Sequence, residues 1–286
     1  MSEQITIIDC PRDAMQGIKE FIPTNKKVDF INAILKVGFP IVDFGSFVSP
    51  KAIPQMADTA EVLNKLDLDN TNSKLLAIVA NVRGANDAAS FAEIEYLGYP
   101  FSVSEEFQKR NTNRTIEESL HIVEEIQDIA FRHKKRLVVY LSMGFGNPYG
   151  EHWSPELVIM WSERLEQMGV STLALSDTIG SATPEVITQL FSHLIPALPE
   201  IQFGAHLHTI PNDWHPKVKA AWDAGCRRFD GAIKGFGGCP MATDDLIGNM
   251  PTEKLLSFAT ENKLQHGLNS LAFETAYNQA LKTFPR

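Results

Sequence analysis

Short apolar segments alternate along the chain with longer segments in which apolar residues recur at helical spacing. Short runs rich in β-branched residues are typical of buried strands, and a period of three to four residues is typical of amphipathic helices. The pattern predicts strands at 5–8, 41–44, 75–80, 94–101, 137–141, 172–176, 201–205 and 228–232. Such alternation of strand and helix is typical of a parallel sheet.

Capping residues mark where the intervening helices begin and end. Thr115 opens a capping box with Glu118, and Ser154 and Thr183 each precede a proline at the first helical position. Glycines that follow predicted helices suit the left-handed conformation after a helix end. We expect helices at 25–37, 55–66, 86–91 with Asn86 as the cap, from Thr115 into 132–136, from Ser154 to 168, from Thr183 onward, at 216–224, and in the stretch from 244 to the C-terminus.

Eight strand–helix units favour a closed (β/α)8 TIM barrel followed by additional C-terminal helices, since such barrels take about 250 residues. The chain has 286 residues, and no linker or shift of composition interrupts the series. Residues 1–286 are therefore expected to form a single catalytic barrel domain. An open doubly wound sheet is the alternative, but no Gly-x-Gly-x-x-Gly follows the first strand.

Composition narrows the class of function. Thirty-five acidic against 26 basic residues give a net charge of −9, which argues against binding to nucleic acid or to anionic membranes. The apolar runs are shorter than the roughly 18 residues of a membrane span. The first residues do not resemble a signal peptide, and three cysteines are too few for a disulfide framework, so we expect a cytoplasmic protein that acts on small molecules.

Polar residues with catalytic potential collect where the predicted strands end. In an α/β barrel the active site lies at the carboxyl ends of the strands. These residues are Arg12 and Asp13 after the first strand, Asp43 in the second, Asn81 after the third, Asp177 and Thr178 after the sixth, His206 and His208 after the seventh, and Cys239 after the eighth.

The spacing of His206 and His208 indicates a metal site, because residues two apart on an extended segment point to the same side. A histidine pair alone is more often accidental. Asp13, on the strand that closes the barrel, can add a carboxylate to the same point, and Asn249 can add an amide oxygen. This mixed set suits Mg²⁺ or Mn²⁺ with open positions for substrate, whereas a structural zinc site would favour thiolates.

Each of the other candidates has a structural alternative. Arg12 either forms a surface ion pair with Asp13 or donates to a developing oxyanion. Asp43 and Asp177 either cap turns or act in the site. The loop 235–240 contains three glycines, which permit close approach of a ligand, and resembles a lid. Cys239 in that loop is either a buried thiol or a proton donor when the loop closes.

Several segments, in this order, resemble the hydroxymethylglutaryl-CoA lyase family within the metal-dependent Claisen-type lyases and synthases. They are Pro11-Arg12-Asp13-Ala14-Met15-Gln16, Ser46-Phe47-Val48-Ser49-Pro50-Lys51, Ser104-Glu105-Glu106-Phe107, Asp177-Thr178-Ile179-Gly180, His206-Leu207-His208, Gly237-Gly238-Cys239-Pro240 and Gly248-Asn249. The resemblance implies a divalent cation on Asp13, His206, His208 and Asn249. It also implies cleavage of 3-hydroxy-3-methylglutaryl-CoA to acetyl-CoA and acetoacetate, the chemistry of leucine catabolism.

The resemblance further implies roles for individual residues. Catalytic roles fall on Arg12, Asp13, Asp177, His206 and Cys239, and substrate contacts fall on Arg12, Gln16, Asp43, Thr178, Gly237 and Gly238. Arg12 would stabilise the thioester enolate, and Cys239 or His206 would protonate it. The resemblance also implies a homodimer.

Three departures from the family pattern bear on the acyl group that the enzyme accepts. Asp43 replaces the usual Glu, Thr209 replaces an Asp after His208, and Asp9-Cys10 precedes Pro11 where a Gly is usual. A related 3-hydroxyacyl-CoA is therefore an alternative substrate. A synthase that uses a 2-oxo acid would be longer, and a catalytically silent acyl-CoA or metal-binding barrel would not need these polar residues.

Overall fold

The computed structural model describes residues 3–238 and 247–284. Eight parallel strands close into a barrel, with β1 paired to β2 on one side and to β9 on the other. These strands are β1 (Thr6–Asp9), β2 (Ile41–Ser46), β3 (Lys74–Ile78), β4 (Ile94–Ser102), β5 (Arg136–Ser142), β6 (Thr172–Ser176), β7 (Gln202–His206) and β9 (Arg228–Gly231). The predicted TIM barrel is confirmed.

Two further short strands pair antiparallel outside the barrel, β8 (His208–Thr209) and β10 (Gly248–Asn249). The described part of the chain also forms eleven helices, none of them long and apolar enough to cross a membrane. They are α1 (Pro11–Gln16), α2 (Thr24–Leu35), α3 (Thr59–Leu63), α4 (Val82–Ala89), α5 (Glu105–Thr112), α6 (Ile116–Arg132), α7 (Pro155–Gln167), α8 (Pro184–Ala197), α9 (Trp214–Asp223), α10 (Thr252–Glu261) and α11 (Ser270–Thr283). Helices α10 and α11 are the predicted C-terminal additions.

The fourth helix begins earlier than the sequence predicts. Asn81 is its cap, since its Oδ1 accepts a hydrogen bond of 2.9 Å from the Gly84 backbone nitrogen, and Asn86 lies inside the helix. The prediction of a helix at 86–91 capped by Asn86 is therefore wrong. Gly84 weakens the helical pattern there but is needed, because a Cβ on it would lie 2.5 Å from the Phe47 carbonyl oxygen.

A similar correction concerns the polar residue after the third strand. The position of Asn81 after a strand predicts a catalytic residue, but in the structure its side chain caps α4. The capping box of Thr115 and Glu118 is confirmed, with both reciprocal hydrogen bonds present at the start of α6.

The hydrophobic residues form two layers. The larger layer lies between the strands and the surrounding helices. The smaller one fills the barrel interior and contains Ile8, Leu76, Val138 and Ala174. Polar side chains on β7 and β9 take the remaining interior positions near the carboxyl ends of the strands, so the apolar interior supports a polar site above it.

Asp9 is a buried carboxyl group at the end of β1. Its Oδ2 accepts a hydrogen bond of 2.6 Å from the Thr252 hydroxyl, while Oδ1 has no partner among the described residues. Burial raises the pKa of Asp9 from 3.8 to about 7, although the Thr252 hydrogen bond opposes that shift. The charged form is therefore costly in the folded protein.

Replacing Asp9 by asparagine should stabilise the protein above neutral pH. A folded-state pKa above the unfolded value lowers stability as the pH rises from about 4 to 7, so the Asn variant should gain on the order of 2 kcal/mol at pH 8 and little at pH 4. Urea unfolding of both proteins at the two pH values measures this. Asp128→Asn on the exposed face of α6 is the control, and an equal effect of Asp9→Asn at both pH values would contradict the prediction.

Candidate active site

A cavity of about 510 Å³ opens at the carboxyl ends of the barrel strands. Six of the predicted site residues line it together: Arg12, Asp13, Gln16, Thr178, His206 and His208. Apolar side chains such as Ile53 and Phe107 form much of the remaining wall. Polar groups gathered in one part of a mostly apolar cavity are typical of a small-molecule site.

Helix α1 positions the first two polar residues. Pro11 starts the helix two residues after β1 ends, so the first turn carries Arg12 and Asp13 into the cavity. The Arg12 guanidinium donates to Asp13 Oδ1 at 2.7 Å and, through Nε, to Asp43 Oδ2 at 3.0 Å. Burial alone would lower the pKa of Arg12, but the two carboxylates raise it above its ordinary value. Arg12 is thus a fixed cation with N–H groups to spare.

Asp13 is oriented by hydrogen bonds to one of its two oxygens. Oδ1 accepts from Arg12 and, at 3.0 Å, from the Gln16 amide, while Oδ2 lies 3.9 Å from His206 Nε2. Burial would raise the pKa of Asp13, but Arg12 and the histidines lower it to about 2. An ionised carboxylate whose Oδ2 faces an imidazole is a suitable ligand for a divalent cation.

His206 ends β7, and its two ring nitrogens face different partners. Nδ1 lies 3.2 Å from Asp230 Oδ2 on the neighbouring strand β9. Burial would lower the pKa of His206, but Asp230 raises it above its ordinary value. Because a carboxylate at Nδ1 accepts the proton there, we assign the tautomer whose Nε2 lone pair points toward Asp13. This carboxylate–histidine arrangement is common behind metal ligands.

His208 in β8 completes the group. Its ring nitrogens are buried and have no hydrogen-bond partner among the described residues. Burial, with the neighbouring His206, lowers the pKa of His208 to about 4, so the imidazole is neutral. One ligand atom from each of Asp13, His206 and His208 lies within 4.8 Å of the others. Buried nitrogens without a partner need an explanation, and a bound cation would provide one.

Asn249 lies in β10 directly opposite His208 in β8. Its side-chain nitrogen donates to the Phe236 carbonyl at 2.9 Å, which leaves the amide oxygen as an acceptor. Asn249 is buried beside the ligand group but does not line the cavity. The two short strands bring it next to His208 across a gap of 41 residues.

A second group of ligand atoms shares His206 and lies deeper in the barrel. It consists of Cys10, His206 and Asp230. Arg228 Nε lies 3.5 Å from Asp230 Oδ1, so a divalent cation there would be close to a buried guanidinium. Burial raises the pKa of the Cys10 thiol well above its ordinary value, and a protonated thiol is a poor metal ligand, so the Asp13 group is the better candidate.

The two predicted carboxylates other than Asp13 lie outside the cavity wall. Asp43 is buried behind Arg12 and accepts two of its N–H groups. Asp177 pairs at 3.0 Å with Lys217, whose ammonium also donates to the His208 carbonyl at 3.0 Å. The structure therefore places both carboxylates where they position other groups. Thr178, by contrast, lines the cavity and accepts from the Met143 nitrogen at 2.8 Å.

Gly237 is closely packed against the ligand group. Gly237 has φ +84°, and a Cβ on it would lie 2.4 Å from the Asp13 carbonyl oxygen and 2.9 Å from Asn249 Nδ2. Gly238 has φ +123°, and a Cβ on it would lie 2.3 Å from the Ile247 carbonyl oxygen. The predicted thiol, Cys239, lies outside the described residues. Backbone packing against Asp13 thus requires a glycine at 237, and backbone packing against Ile247 requires one at 238.

Gly237→Ala should lower kcat/KM by about 10- to 100-fold, because the added methyl displaces either the loop or the backbone of Asp13. The variant should still unfold cooperatively. Gly38→Ala is the matched control, since Gly38 has φ +87° but no atom within 4 Å of the new Cβ. Steady-state kinetics of both variants test this, and equal activities for the two would show that the close contact is unimportant.

Sequence reasoning missed four buried polar residues around the site: Tyr140, Lys217, Arg228 and Asp230. Tyr140 lies edge-on to the His206 ring, with 5.5 Å between ring centroids. Arg228 and Asp230 are two apart on the last barrel strand, so an inward-facing polar pair was detectable from the alternation of strand residues. Lys217 gave no such signal within its helix.

Together the fold and site define a TIM barrel with a candidate metal centre at the carboxyl ends of its strands. Residues 4–278 match the HMGL-like family model, and the chain belongs to this family. It is 33% identical over 246 residues to hydroxymethylglutaryl-CoA lyase YngG of Bacillus subtilis, covering 86% of this chain and 81% of the relative. It is 31% identical over 264 residues to (R)-citramalyl-CoA lyase of Chloroflexus aurantiacus, covering 89% and 83%.

A solved structure supports the same assignment. It is an HMG-CoA lyase from Acinetobacter baumannii in complex with coenzyme A and 3-methylmalate, with a TM-score of 0.90 and 29% sequence identity. The match covers 98% of this chain and 91% of that one. The predicted resemblance to hydroxymethylglutaryl-CoA lyases is confirmed.

Proposed function

We propose that the protein is a divalent-metal-dependent carbon–carbon lyase that cleaves 3-hydroxy-3-methylglutaryl-CoA to acetyl-CoA and acetoacetate. The observation that carries this proposal is the convergence of Asp13, His206 and His208 beside the Arg12 guanidinium in one cavity. An anionic ligand and two imidazoles next to a fixed cation suit a reaction that ionises a hydroxyl group and forms an enolate. Family membership supports the same reaction.

Mg²⁺ or Mn²⁺ is the proposed cofactor, held by Asp13, His206, His208 and Asn249. The partnerless nitrogens of His208 and the position of Asp13 Oδ2 near His206 Nε2 fit such an ion. When bound, the ion would attract substrate oxygens and lower the pKa of the tertiary hydroxyl. Four protein ligands of mixed nitrogen and oxygen type leave positions for the substrate.

Protein side chains would remove the hydroxyl proton and stabilise the enolate. The hydroxyl proton passes to a base in the cluster around Asp13, the bond between the two carbons breaks, and its electron pair moves into the thioester to form an enolate. Arg12 has N–H groups left over after its bonds to Asp13 and Asp43, and these stabilise the enolate oxygen.

A proton delivered to the enolate carbon completes acetyl-CoA. Asp13 is a poor acid for this step because its pKa is about 2. His206 would be bound through Nε2, so we assign the proton to Cys239, which follows Gly237 by two residues. A Cys239→Ala enzyme with undiminished turnover would remove this assignment.

One relative and two residues of this chain indicate that the substrate could carry a different acyl group. The Chloroflexus relative is a citramalyl-CoA lyase, and Asp43 and Thr209 depart from the residues expected in the family. A 3-hydroxyacyl-CoA with a different acyl group is therefore the second candidate substrate. We also propose a cytoplasmic location, a homodimer, a role in leucine catabolism and a single catalytic domain over residues 1–286.

Incubation of the purified protein with each substrate tests the function. The protein is treated with chelator, and Mg²⁺ or Mn²⁺ is then added back with hydroxymethylglutaryl-CoA or citramalyl-CoA. Metal-dependent acetoacetate from the first supports the proposal. Pyruvate from citramalyl-CoA, without acetoacetate from hydroxymethylglutaryl-CoA, would change the substrate assignment to citramalyl-CoA. If neither compound gives a product, the lyase assignment is wrong.

A further inference from the structure

Arg228 is a buried arginine in the barrel interior below the site. It lies on β9 two residues before Asp230, so both side chains point inward. Gly204 is its register partner on β7, and a Cβ on Gly204 would lie 3.1 Å from Cδ and 3.3 Å from Nε of Arg228. The absence of a side chain at Gly204 therefore makes room for the arginine.

The contacts of Arg228 lead directly to the candidate metal centre. Its Nε lies 3.5 Å from Asp230 Oδ1, and the other oxygen of Asp230 lies 3.2 Å from His206 Nδ1. Asp230 thus lies between the guanidinium and the imidazole. Nε and Nη2 of Arg228 have no hydrogen-bond acceptor among the described residues, so the charge of Asp230 is the main compensation for this cation.

A buried arginine is expensive to desolvate, and replacing a buried ion pair by apolar residues is often neutral or stabilising. Stability alone therefore does not explain why an arginine is buried at position 228. We infer that Arg228 is a positioning residue that holds Asp230 against His206 and so keeps Nε2 of His206 directed at the divalent cation. This inference rests on the proposed metal site, and it assigns no contact with the substrate.

Charge, rather than shape, is what the position requires. Arg228→Lys keeps a cation near Asp230, whereas Arg228→Met keeps most of the volume but leaves the Asp230 carboxylate with only His206 as a partner. Partners behind a metal-binding histidine affect metal affinity by about 10- to 100-fold. We therefore expect the two substitutions to differ in their effect on metal binding.

Isothermal titration calorimetry of Mn²⁺ binding to the metal-free proteins tests the inference. We expect Arg228→Met to bind Mn²⁺ at least about 10-fold more weakly than the unmodified protein, and Arg228→Lys to recover most of the affinity. At saturating Mn²⁺, KM for the acyl-CoA should stay close to that of the unmodified enzyme. Lys27→Met is the matched control, because it removes a buried lysine paired with Asp58, away from the cavity.

The outcomes separate the inference from the proposed function. If the unmodified protein binds no Mn²⁺, the metal site itself is wrong. If it binds Mn²⁺ and Arg228→Met binds equally tightly, the positioning role is wrong. Equal losses in Arg228→Met and Lys27→Met would also overturn it, since they would reflect general destabilisation.

A second variant keeps the test decisive if Arg228→Met does not fold. Gly204→Ala leaves all charges in place but pushes its new methyl against the arginine stem. It should weaken Mn²⁺ binding by a smaller factor than loss of the charge. Unchanged affinity in a folded Gly204→Ala protein, with its methyl accommodated by movement of Arg228, would contradict the requirement for a fixed guanidinium.

Discussion

Replacing Asp13 by asparagine is expected to lower kcat/KM for the acyl-CoA substrate by about 10³-fold or more. Asparagine has nearly the same shape, but it removes the only carboxylate of the proposed ligand group and one of the two carboxylate partners of Arg12. The ion then binds more weakly and a buried guanidinium loses half of its compensation. Kinetics over a Mn²⁺ titration, with direct measurement of Mn²⁺ affinity, separate these two effects.

The asymmetry of the Asp13 carboxylate makes this prediction specific. Its Oδ1 already accepts two hydrogen bonds, from Arg12 and Gln16, so an amide nitrogen at that position would face donors. The amide would therefore keep its oxygen there and direct its NH₂ group toward His206. That orientation offers no lone pair to a cation.

Asp128→Asn makes the same chemical change on an exposed helix face and should have no effect. A folded Asp13→Asn protein with unchanged Mn²⁺ affinity would show that the ion binds elsewhere. An unchanged kcat at saturating Mn²⁺, with weaker affinity only, would limit Asp13 to metal binding.

The fold was largely predictable because each barrel strand is a short buried run. The expected strands overlap all eight strands of the barrel, although the ends differ by a few residues. The misplaced fourth helix has a local cause. Gly84 lowers helix propensity, and it is retained because the Phe47 backbone approaches too closely for a side chain. Such an approach depends on two segments that are distant in sequence.

The site was predictable to the extent that it follows from the strand-end rule. Arg12, His206 and His208 are predictable because His206 ends β7 and the other two come shortly after the end of a barrel strand. Asp177 directly follows β6 and Asp43 lies within β2, but their partners, Lys217 and Arg12, are 40 and 31 residues away. Position along a strand does not show whether a carboxylate faces the cavity or a buried cation.

Two buried ion pairs flank His206 between the barrel interior and the rim. Arg228 is next to Asp230, which contacts His206, and Asp13 then lies between His206 and Arg12. Each buried charge thus has an opposite partner, which offsets part of its desolvation cost. For a chain with a net charge of −9, such local cations supply the attraction for an anionic CoA ester that the overall field does not.

Arg12→Lys is expected to lower kcat by about 10²- to 10³-fold while KM changes little, because the enolate oxygen exists only after the carbon–carbon bond begins to break. The guanidinium reaches Asp13 through Nη1 and Asp43 through Nε and Nη2 at the same time. A lysine ammonium is a single point charge, so it can contact one carboxylate but cannot bridge both and still face the substrate.

Burial raises the pKa of Asp43 to about 6, and the attraction of Arg12 is the main effect that lowers it. Arg12→Lys weakens that attraction, so it should raise the pKa of Asp43 further. We therefore expect Arg12→Lys to be less stable than the unmodified protein above pH 6, by about 1–3 kcal/mol, and closer to it at pH 5. Arg132→Lys on the exposed end of α6 is the control for both measurements. A conserved kcat with a raised KM would instead place Arg12 in ground-state binding, because an interaction made equally in both states changes KM alone.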